Sequence, residues 1–219
     1  MKIGTDGVLL GAWTSVEKNP FSVLDIGAGT GVLSLMLAQR SFAELIDAIE
    51  IDADAYEQCT DNFENSPWND RLFCYHASLE EFTEEIDDKY DLIISNPPFY
   101  SEDYKTEDSS RDLARFADAL PFEELLSCAS KLLSPEGTFS VIIPFKEEPS
   151  FLSKALEYGL YPSRILHVKG NPDSSFKRSL IEFSRYQATT EISELTIEIS
   201  RHNYTEVYKE LTKDFYLKM

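Results

Sequence analysis

The sequence has 219 residues, 42% of them hydrophobic and 27% charged, and a formal net charge of −19. This length suits one α/β domain with a sizeable core, and no apolar run approaches the length of a membrane span. The charge of the whole chain argues against a nucleic acid partner, because phosphate binding relies on Lys and Arg. Three scattered cysteines without a close pair argue against a disulfide framework or a zinc site and favour a reducing compartment.

Strands alternate with helices through most of the chain. A loop that enters a short helix is predicted over residues 2–13. We then predict strands over 21–26, 45–51, 71–76, 91–95 and 138–143, and helices over 32–40, 52–65, 79–86, 122–133 and 148–158. Such alternation is typical of parallel β/α units, so the predicted fold class is α/β with helices on both faces of a mostly parallel sheet.

The last part of the chain departs from this alternation. Residues 164–168 and 179–185 predict two further strands around a turn at 170–173, which makes seven strands in the predicted sheet. An alternating stretch at 195–199 and a helix from about 204 to 215 follow. We expect one domain over residues 1–219, with residues 187–219 as a C-terminal appendage.

The acidic residues are unevenly distributed. The stretch from Glu80 to Asp112 is dense in Asp and Glu, whereas only Asp173 and Glu182 oppose the basic residues of a later stretch. Those basic residues are Arg164, Lys169, Lys177, Arg178 and Arg185. The pattern fits a local basic face on an acidic body, and a solvated distribution without function fits it about equally well.

A glycine-rich turn lies between the first predicted strand and the helix that follows it. Gly27, Gly29 and Gly31 alternate with other residues, which fits the dinucleotide fingerprint poorly. Asp25 precedes the turn, where a carboxylate suits an ammonium better than a pyrophosphate. Glu50 closes the next strand, where an acid can hold two ribose hydroxyls. The set favours S-adenosylmethionine over NAD, with a nicotinamide enzyme or plain turn glycines as the alternatives.

The fourth predicted strand is followed by Asn96-Pro97-Pro98-Phe99. Two consecutive prolines stiffen the corner, since each fixes φ and restricts the residue before it. The Asn96 amide and the Pro97 carbonyl then present acceptor oxygens, and Phe99 adds a flat apolar face. This combination suits a planar group that carries an amine, such as a nucleobase, although a simple turn with a core phenylalanine explains the four residues equally well.

Together these motifs resemble those of class I S-adenosylmethionine-dependent amino-methyltransferases, which methylate adenine N6, guanine N2 or a glutamine amide. The opening block MKIGTDGVLLGAW at residues 1–13 and the ending at residues 204–218 are similar to bacterial tRNA(Val) adenine-37 N6-methyltransferases. The family usually carries a further segment before this block, whereas this sequence starts inside it. The resemblance implies a Rossmann-like class I methyltransferase fold, with residues 1–15 close to cofactor and substrate.

The resemblance also implies roles for further residues around the cofactor. Ile51 is expected to flank the adenosine of S-adenosylmethionine, as is Asp52, for which a helix N-cap is an equal alternative. The superfamily often has an acid after the third strand for the adenine amino group; here Ser78 or a main-chain group has to serve. Thr5 is expected to close over the cofactor together with its neighbours, although helix capping explains it without the resemblance.

For the substrate, the resemblance implies that Asn96 and Pro97 accept the N–H groups of the target amine while Phe99 stacks on the base. Pro98 belongs to the same corner, and Tyr100 is a second aromatic candidate that a surface role explains as well. Lys177 and Arg178 are the better phosphate candidates, since few acids surround them.

The leading hypothesis is an RNA adenine-N6 methyltransferase that acts on a tRNA anticodon loop. Other planar nitrogens remain alternatives: rRNA guanine N2, DNA adenine N6 or a protein glutamine amide. A non-catalytic methyltransferase-fold module that binds RNA or a partner is a further alternative. We expect a cytoplasmic protein with no membrane segment and no metal, and a monomer is favoured.

Overall fold

The structure, a computed structural model, describes residues 4–98 and 120–216. Its helices are α1 (Thr5–Trp13), α2 (Val32–Arg40), α3 (Ala53–Glu64), α4 (Leu79–Glu85), α5 (Phe122–Leu132), α6 (Glu148–Glu157) and α7 (Glu206–Thr212), with a 3-10 helix at Phe145–Glu147. Its strands are β1 (Ser22–Ile26), β2 (Leu45–Glu50), β3 (Leu72–His76), β4 (Tyr90–Ser95), β5 (Leu133–Pro144), β6 (Tyr161–Lys169), β7 (Phe176–Ser184), β8 (Glu191–Thr196), β9 (Glu198–Ser200) and β10 (Asn203–Tyr204).

One large sheet has the strand order β3-β2-β1-β4-β5-β7-β6-β8. Neighbouring strands from β3 to β5 pair in parallel, and β7 runs antiparallel to both β5 and β6. The predicted α/β class is therefore confirmed, including an antiparallel strand near the C-terminus.

The number of strands was underestimated at seven, because β8 joins the sheet beside β6 as an eighth strand. Leu195 is the one residue of β8 that is fully buried. An edge strand with so little burial carries hardly any alternating signal in the sequence. The residues predicted as an appendage thus complete one edge of the main sheet, and α7 packs against α1.

Helices cover both faces of the sheet and bury two hydrophobic clusters. One cluster packs α4, α5 and α6 against one face, and the other packs α1, α2, α3 and α7 against the opposite face. Alternate residues of the inner strands point to opposite faces, so Leu24 belongs to the first cluster and Val23 to the second. Every helix within residues 4–98 and 120–216 is too short or too polar to traverse a bilayer.

The strand order reverses between β1 and β4, which lie side by side although two β/α units separate them in the chain. In open α/β sheets, ligands bind outside the carboxyl ends of the strands at such a switch point. Ile26 and Ser95, the last residues of β1 and β4, are paired there, and the Ser95 hydroxyl donates to the Ile26 carbonyl at 2.9 Å. The glycine turn and the Asn96 corner therefore leave the sheet next to each other.

Candidate active site

The glycine turn is fixed by main-chain hydrogen bonds. The N–H groups of Gly27 and Ala28 both donate to the Ile49 carbonyl at 3.0 Å, which ties the turn to the end of β2. Gly27 has φ +71°, and a Cβ added to it meets no atom within 4 Å. Gly31 has φ +78°, and its Cβ would lie 2.5 Å from the buried ring of Phe63. Gly27 therefore opens the backbone to a ligand, whereas Gly31 lets α2 approach α3.

Glu50 bridges two loops at the edge of the sheet. Its Oε2 accepts from the Gly29 N–H at 2.7 Å, and its Oε1 accepts from the Asp52 N–H at 2.9 Å. The side chain is thereby held in one orientation, with the residue only 8% exposed. Each carboxylate oxygen has two lone pairs, so both oxygens keep capacity for a further donor such as a hydroxyl.

Asp25 is completely buried beneath the turn. Its Oδ2 accepts from the N–H and the hydroxyl of Ser34, at 3.1 and 2.7 Å, and so binds the first turn of α2. Its Oδ1 is buried and has no hydrogen-bond partner within the described residues. Burial raises the pKa of Asp25 from 3.8 to about 7, against the effect of the Ser34 hydrogen bonds, and the charge of Glu50 raises it further.

The opposite side of the turn is lined by the residues that follow β2 and end β3. Ile51 is 68% exposed. Its carbonyl lies 3.1 Å from Nε2 of His76, and the His76 ring stacks on Tyr56 with centroids 5.1 Å apart. No local sequence pattern predicts this stack, because its rings come from α3 and β3, which are brought together only by the strand order.

Asp52 and Ser78 both cap helices, a role that the sequence analysis offered as an alternative for Asp52 and did not foresee for Ser78. Asp52 Oδ1 accepts from the Ala55 N–H at 2.8 Å, which makes Asp52 the N-cap of α3. Ser78 forms a capping box with Glu81: its hydroxyl accepts from the Glu81 N–H and donates to the Glu81 carboxylate. The Ser78 oxygen keeps one lone pair, so its capping role leaves room for the expected contact with adenine. That contact stays a prediction.

The Asn96 corner follows β4 at the switch point. Asn96 is half-buried, Pro97 is buried and Pro98 is exposed. A Cβ added to Gly7 of α1 would lie 3.9 Å from both Asn96 Nδ2 and a methyl group of Val32 at the start of α2. The first turn of α1 therefore covers the gap between the corner and the glycine turn. Phe99 and Tyr100 lie outside the described residues.

The basic candidates on β7 differ in their surroundings. Arg178 Nε lies 2.7 Å from Asp6 Oδ2, so its charge is paired and tethers α1 to the sheet. Lys177 is exposed. Thr5 is exposed as the first residue of α1, and it does not cap the helix, since Gly4 is the N-cap.

Known proteins are similar to this chain in sequence and in fold. A family model described as methyltransferase small domain matches residues 8–158. A tRNA1(Val) (adenine(37)-N6)-methyltransferase of Flavobacterium johnsoniae is 64% identical over 220 residues, which cover 100% of this chain and 94% of that protein. A protein of the same name from Christiangramia forsetii is 63% identical, with 100% and 92% covered. The chain belongs to this methyltransferase family.

A solved structure shares the fold of this methyltransferase at low sequence identity. It is a predicted O-methyltransferase from Agrobacterium tumefaciens, with a TM-score of 0.74 and 18% identity. The match covers 95% of this chain and 96% of that one. Because the family-model match ends at residue 158, this coverage extends the likeness of fold into the C-terminal part of the chain.

The donors and acceptors of the site fit the predicted cofactor, S-adenosylmethionine. The unpartnered Oδ1 of Asp25 calls for a donor, and the oriented Glu50 carboxylate has room for hydroxyl donors. Ile51 offers an exposed apolar side chain for the contact with adenosine that the sequence analysis predicts. The described residues contain no group of three or more potential metal ligands.

Asp25→Asn should remove a pH dependence of stability. Between a pKa of 3.8 in the unfolded chain and about 7 in the folded protein, the folded state holds a proton that the unfolded chain has lost. The unfolding free energy of the wild type therefore falls as pH rises across this window. The amide does not titrate, so the stability of the variant relative to wild type should increase by on the order of 2 kcal/mol from about pH 5 to about pH 8.

Urea unfolding without cofactor measures this difference, with Asp70→Asn as the control, because Asp70 is an exposed aspartate. The control should change stability equally at both pH values. A difference between Asp25→Asn and wild type that stays constant over this range would contradict the assigned pKa.

Glu50→Gln should weaken binding of S-adenosylmethionine at least about tenfold. The glutamine NH2 group would face one of the two main-chain N–H donors that the carboxylate now accepts, so the side chain turns away from its present orientation. Calorimetric titration gives the Kd. Glu44→Gln is the matched control, since Glu44 is exposed and immediately precedes β2, the strand that ends at Glu50. Equal Kd values for Glu50→Gln and wild type would remove Glu50 from the cofactor site.

Proposed function

We propose that this protein transfers the methyl group of S-adenosylmethionine to the exocyclic N6 amine of adenine 37 in tRNA1(Val). The observation that carries the proposal is the placement of the Asn96 corner beside the glycine turn at the β1–β4 switch point. That placement brings an amide and a cofactor loop together in a chain that is 64% identical to a protein named for this reaction.

The cofactor is held by groups that are already oriented. Glu50 accepts from the ribose hydroxyls while it keeps its two main-chain donors. The Asp25 Oδ1, directly or through a water, accepts from the ammonium, and Ile51 packs on the adenine. When bound, the cofactor supplies an electrophilic methyl group on a sulfonium.

Asn96 and Pro97 orient the amine that is methylated. The lone pair of an exocyclic amine is delocalised into the purine ring, which makes the nitrogen a weak nucleophile. The Asn96 Oδ1 and the Pro97 carbonyl accept its two N–H groups, which favours a tetrahedral nitrogen with its lone pair directed at the methyl group. As the new N–C bond forms, the S–CH3 bond of the sulfonium breaks and S-adenosylhomocysteine leaves as a neutral thioether. The methylated nitrogen is acidic, so its proton leaves for solvent without a strong base. Positioning and local electrostatics thus provide most of the rate.

The target adenine leaves an anticodon loop to enter the site, and unstacking costs less in a loop than in a duplex. Pro98, exposed at the corner, contacts the flipped nucleotide, and Phe99 stacks on its base with Tyr100 as a second aromatic contact. Lys177 contacts phosphate, whereas Arg178 acts chiefly by holding α1 over the site through Asp6. A tRNA substrate places the protein in the cytoplasm, and a monomer is sufficient for this arrangement.

Asn96→Ala should lower kcat by about 100-fold or more, because removal of one oriented hydrogen-bonding group at a reacting centre has an effect of that size. The Kd for S-adenosylmethionine should stay near the wild-type value. Asn69→Ala is the matched control, since Asn69 is exposed in the loop before β3 at the far edge of the sheet. Methyl transfer from labelled cofactor to total tRNA measures both rates.

The same labelled cofactor, offered in parallel to total rRNA and to a protein extract, separates this proposal from other amine substrates. Label confined to protein or to rRNA would overturn the tRNA assignment. A wild-type rate for Asn96→Ala on tRNA would overturn the role given to Asn96.

A further inference from the structure

Three rings form a cluster at the carboxyl edge of the sheet, beyond the Asn96 corner. Phe145 lies 4.9 Å from His167, edge to face, and 5.3 Å from Phe176, while His167 and Phe176 are 5.4 Å apart, all measured between ring centroids. All three residues are only partly buried, so part of each ring faces solvent. Nζ of Lys169 lies 5.5 Å from the centroid of Phe176.

The strand pairing places this cluster close to the switch point. Ser95 at the end of β4 pairs with Val141, so β5 continues past Asn96 before Phe145 follows its last residue. This offset corresponds to about 10 Å along the strand. Phe176 starts β7, the next strand of the sheet, and pairs with Lys169 at the end of β6. The three rings thus lie along the carboxyl edge of the sheet, beyond the Asn96 corner.

The cluster is held in place by a carboxylate. His167 Nε2 lies 2.8 Å from Glu148 Oε2, and the Ser179 hydroxyl donates to the same oxygen. Ser179 is fully buried, so this anchor belongs to the sheet itself. A ring cluster fixed in this way loses little conformational entropy when a ligand packs on it.

The chemistry of the cluster matches an unpaired nucleotide. Single-stranded RNA is recognised by stacking of unstacked bases on aromatic side chains, with phosphates paired to Lys or Arg. Lys169, beside the Phe176 ring, and the exposed Lys177, which follows Phe176 in the chain, supply ammonium groups at this edge of an otherwise acidic protein. Aromatic residues interleaved with lysines distinguish this edge from a plain apolar patch.

We propose that Phe145 and Phe176 stack with an unpaired nucleotide that flanks the target adenine, and that Lys169 and Lys177 contact its phosphates. This inference rests on the proposed function, since it needs an RNA loop in the Asn96 site. It assigns recognition of the loop to a surface separate from the methyl-transfer groups.

Phe145→Leu and Phe176→Leu test the stacking role, because leucine keeps an apolar side chain but lacks the aromatic face. Each should raise KM for an anticodon stem-loop about tenfold, with kcat within about twofold of wild type and an unchanged Kd for S-adenosylmethionine. Phe42→Leu is the matched control and should leave KM unchanged, since Phe42 is 92% exposed at the opposite edge of the sheet. Phe145→Trp keeps an aromatic face and should retain KM near wild type.

Lys169→Ala should lower the slope of log Kd for the anticodon stem-loop against log salt concentration by about 0.7. This is the value for one phosphate contact with a single strand, about 0.7. Lys89→Ala, at an exposed lysine before β4 on the opposite edge, should leave that slope unchanged. A slope for Lys169→Ala equal to wild type would overturn the phosphate contact.

Wild-type KM in both leucine variants, in an enzyme that methylates the stem-loop, would overturn this inference and leave the proposed function intact. Equal impairment of Phe145→Leu and Phe145→Trp would also overturn it, because the ring would then serve only packing. A wild-type enzyme that neither binds nor methylates the stem-loop would overturn the proposed function and this inference with it.

Discussion

The site is organised by a carboxylate that accepts from two main-chain N–H groups of different loops. Glu50 joins the glycine turn after β1 to the start of α3 after β2, through bonds of 2.7 and 2.9 Å. Hydrogen bonds to a charged group are stronger than neutral ones, and here they fix both the loops and the side chain. Under the proposed function, the same oxygens meet the ribose already aligned, so the cofactor site is largely formed before the cofactor binds.

Buried Asp25 and paired Arg178 complete this framework from two sides. Asp25 accepts two hydrogen bonds from Ser34 in the first turn of α2, and its burial away from water raises its pKa. Arg178 reaches across from β7 to Asp6 and holds the first turn of α1 next to Asn96. Asp25 thus has a structural partner as well as a predicted ligand, and both uses are compatible because its carboxylate has spare lone pairs.

Much of this arrangement was predictable from local patterns. The alternation of apolar stretches and helices indicated the parallel sheet, and the glycines after Asp25 with Glu50 one strand later indicated the cofactor edge. Strand β8 was missed because its pairing depends on β6, not on its own pattern. The Tyr56–His76 stack, the Asp6–Arg178 pair and the ring cluster at Phe145 were also beyond sequence reasoning, since each joins residues distant in the chain through strand order.

The net charge of −19 is compatible with an RNA substrate because the charge is not uniform. Nζ of Lys169, at the end of β6, lies 5.5 Å from the ring centroid of Phe176 at the start of β7, and β5 separates β7 from β4, the strand that carries the Asn96 corner. Under the proposed function, Lys169 and Lys177 attract phosphate to this edge while the acidic body suppresses non-specific RNA binding. Selectivity for a single loop then follows from shape and stacking more than from affinity for charge.

Methylation of one amine in one tRNA can be measured by nucleoside mass spectrometry of unmodified tRNA1(Val) transcript after reaction with the protein. We expect N6-methyladenosine in the transcript with adenine at position 37, the nucleotide in the names of the relatives, and none in a transcript with guanine there. Equal N6-methyladenosine in both transcripts, or its absence from the first, would contradict the proposed function.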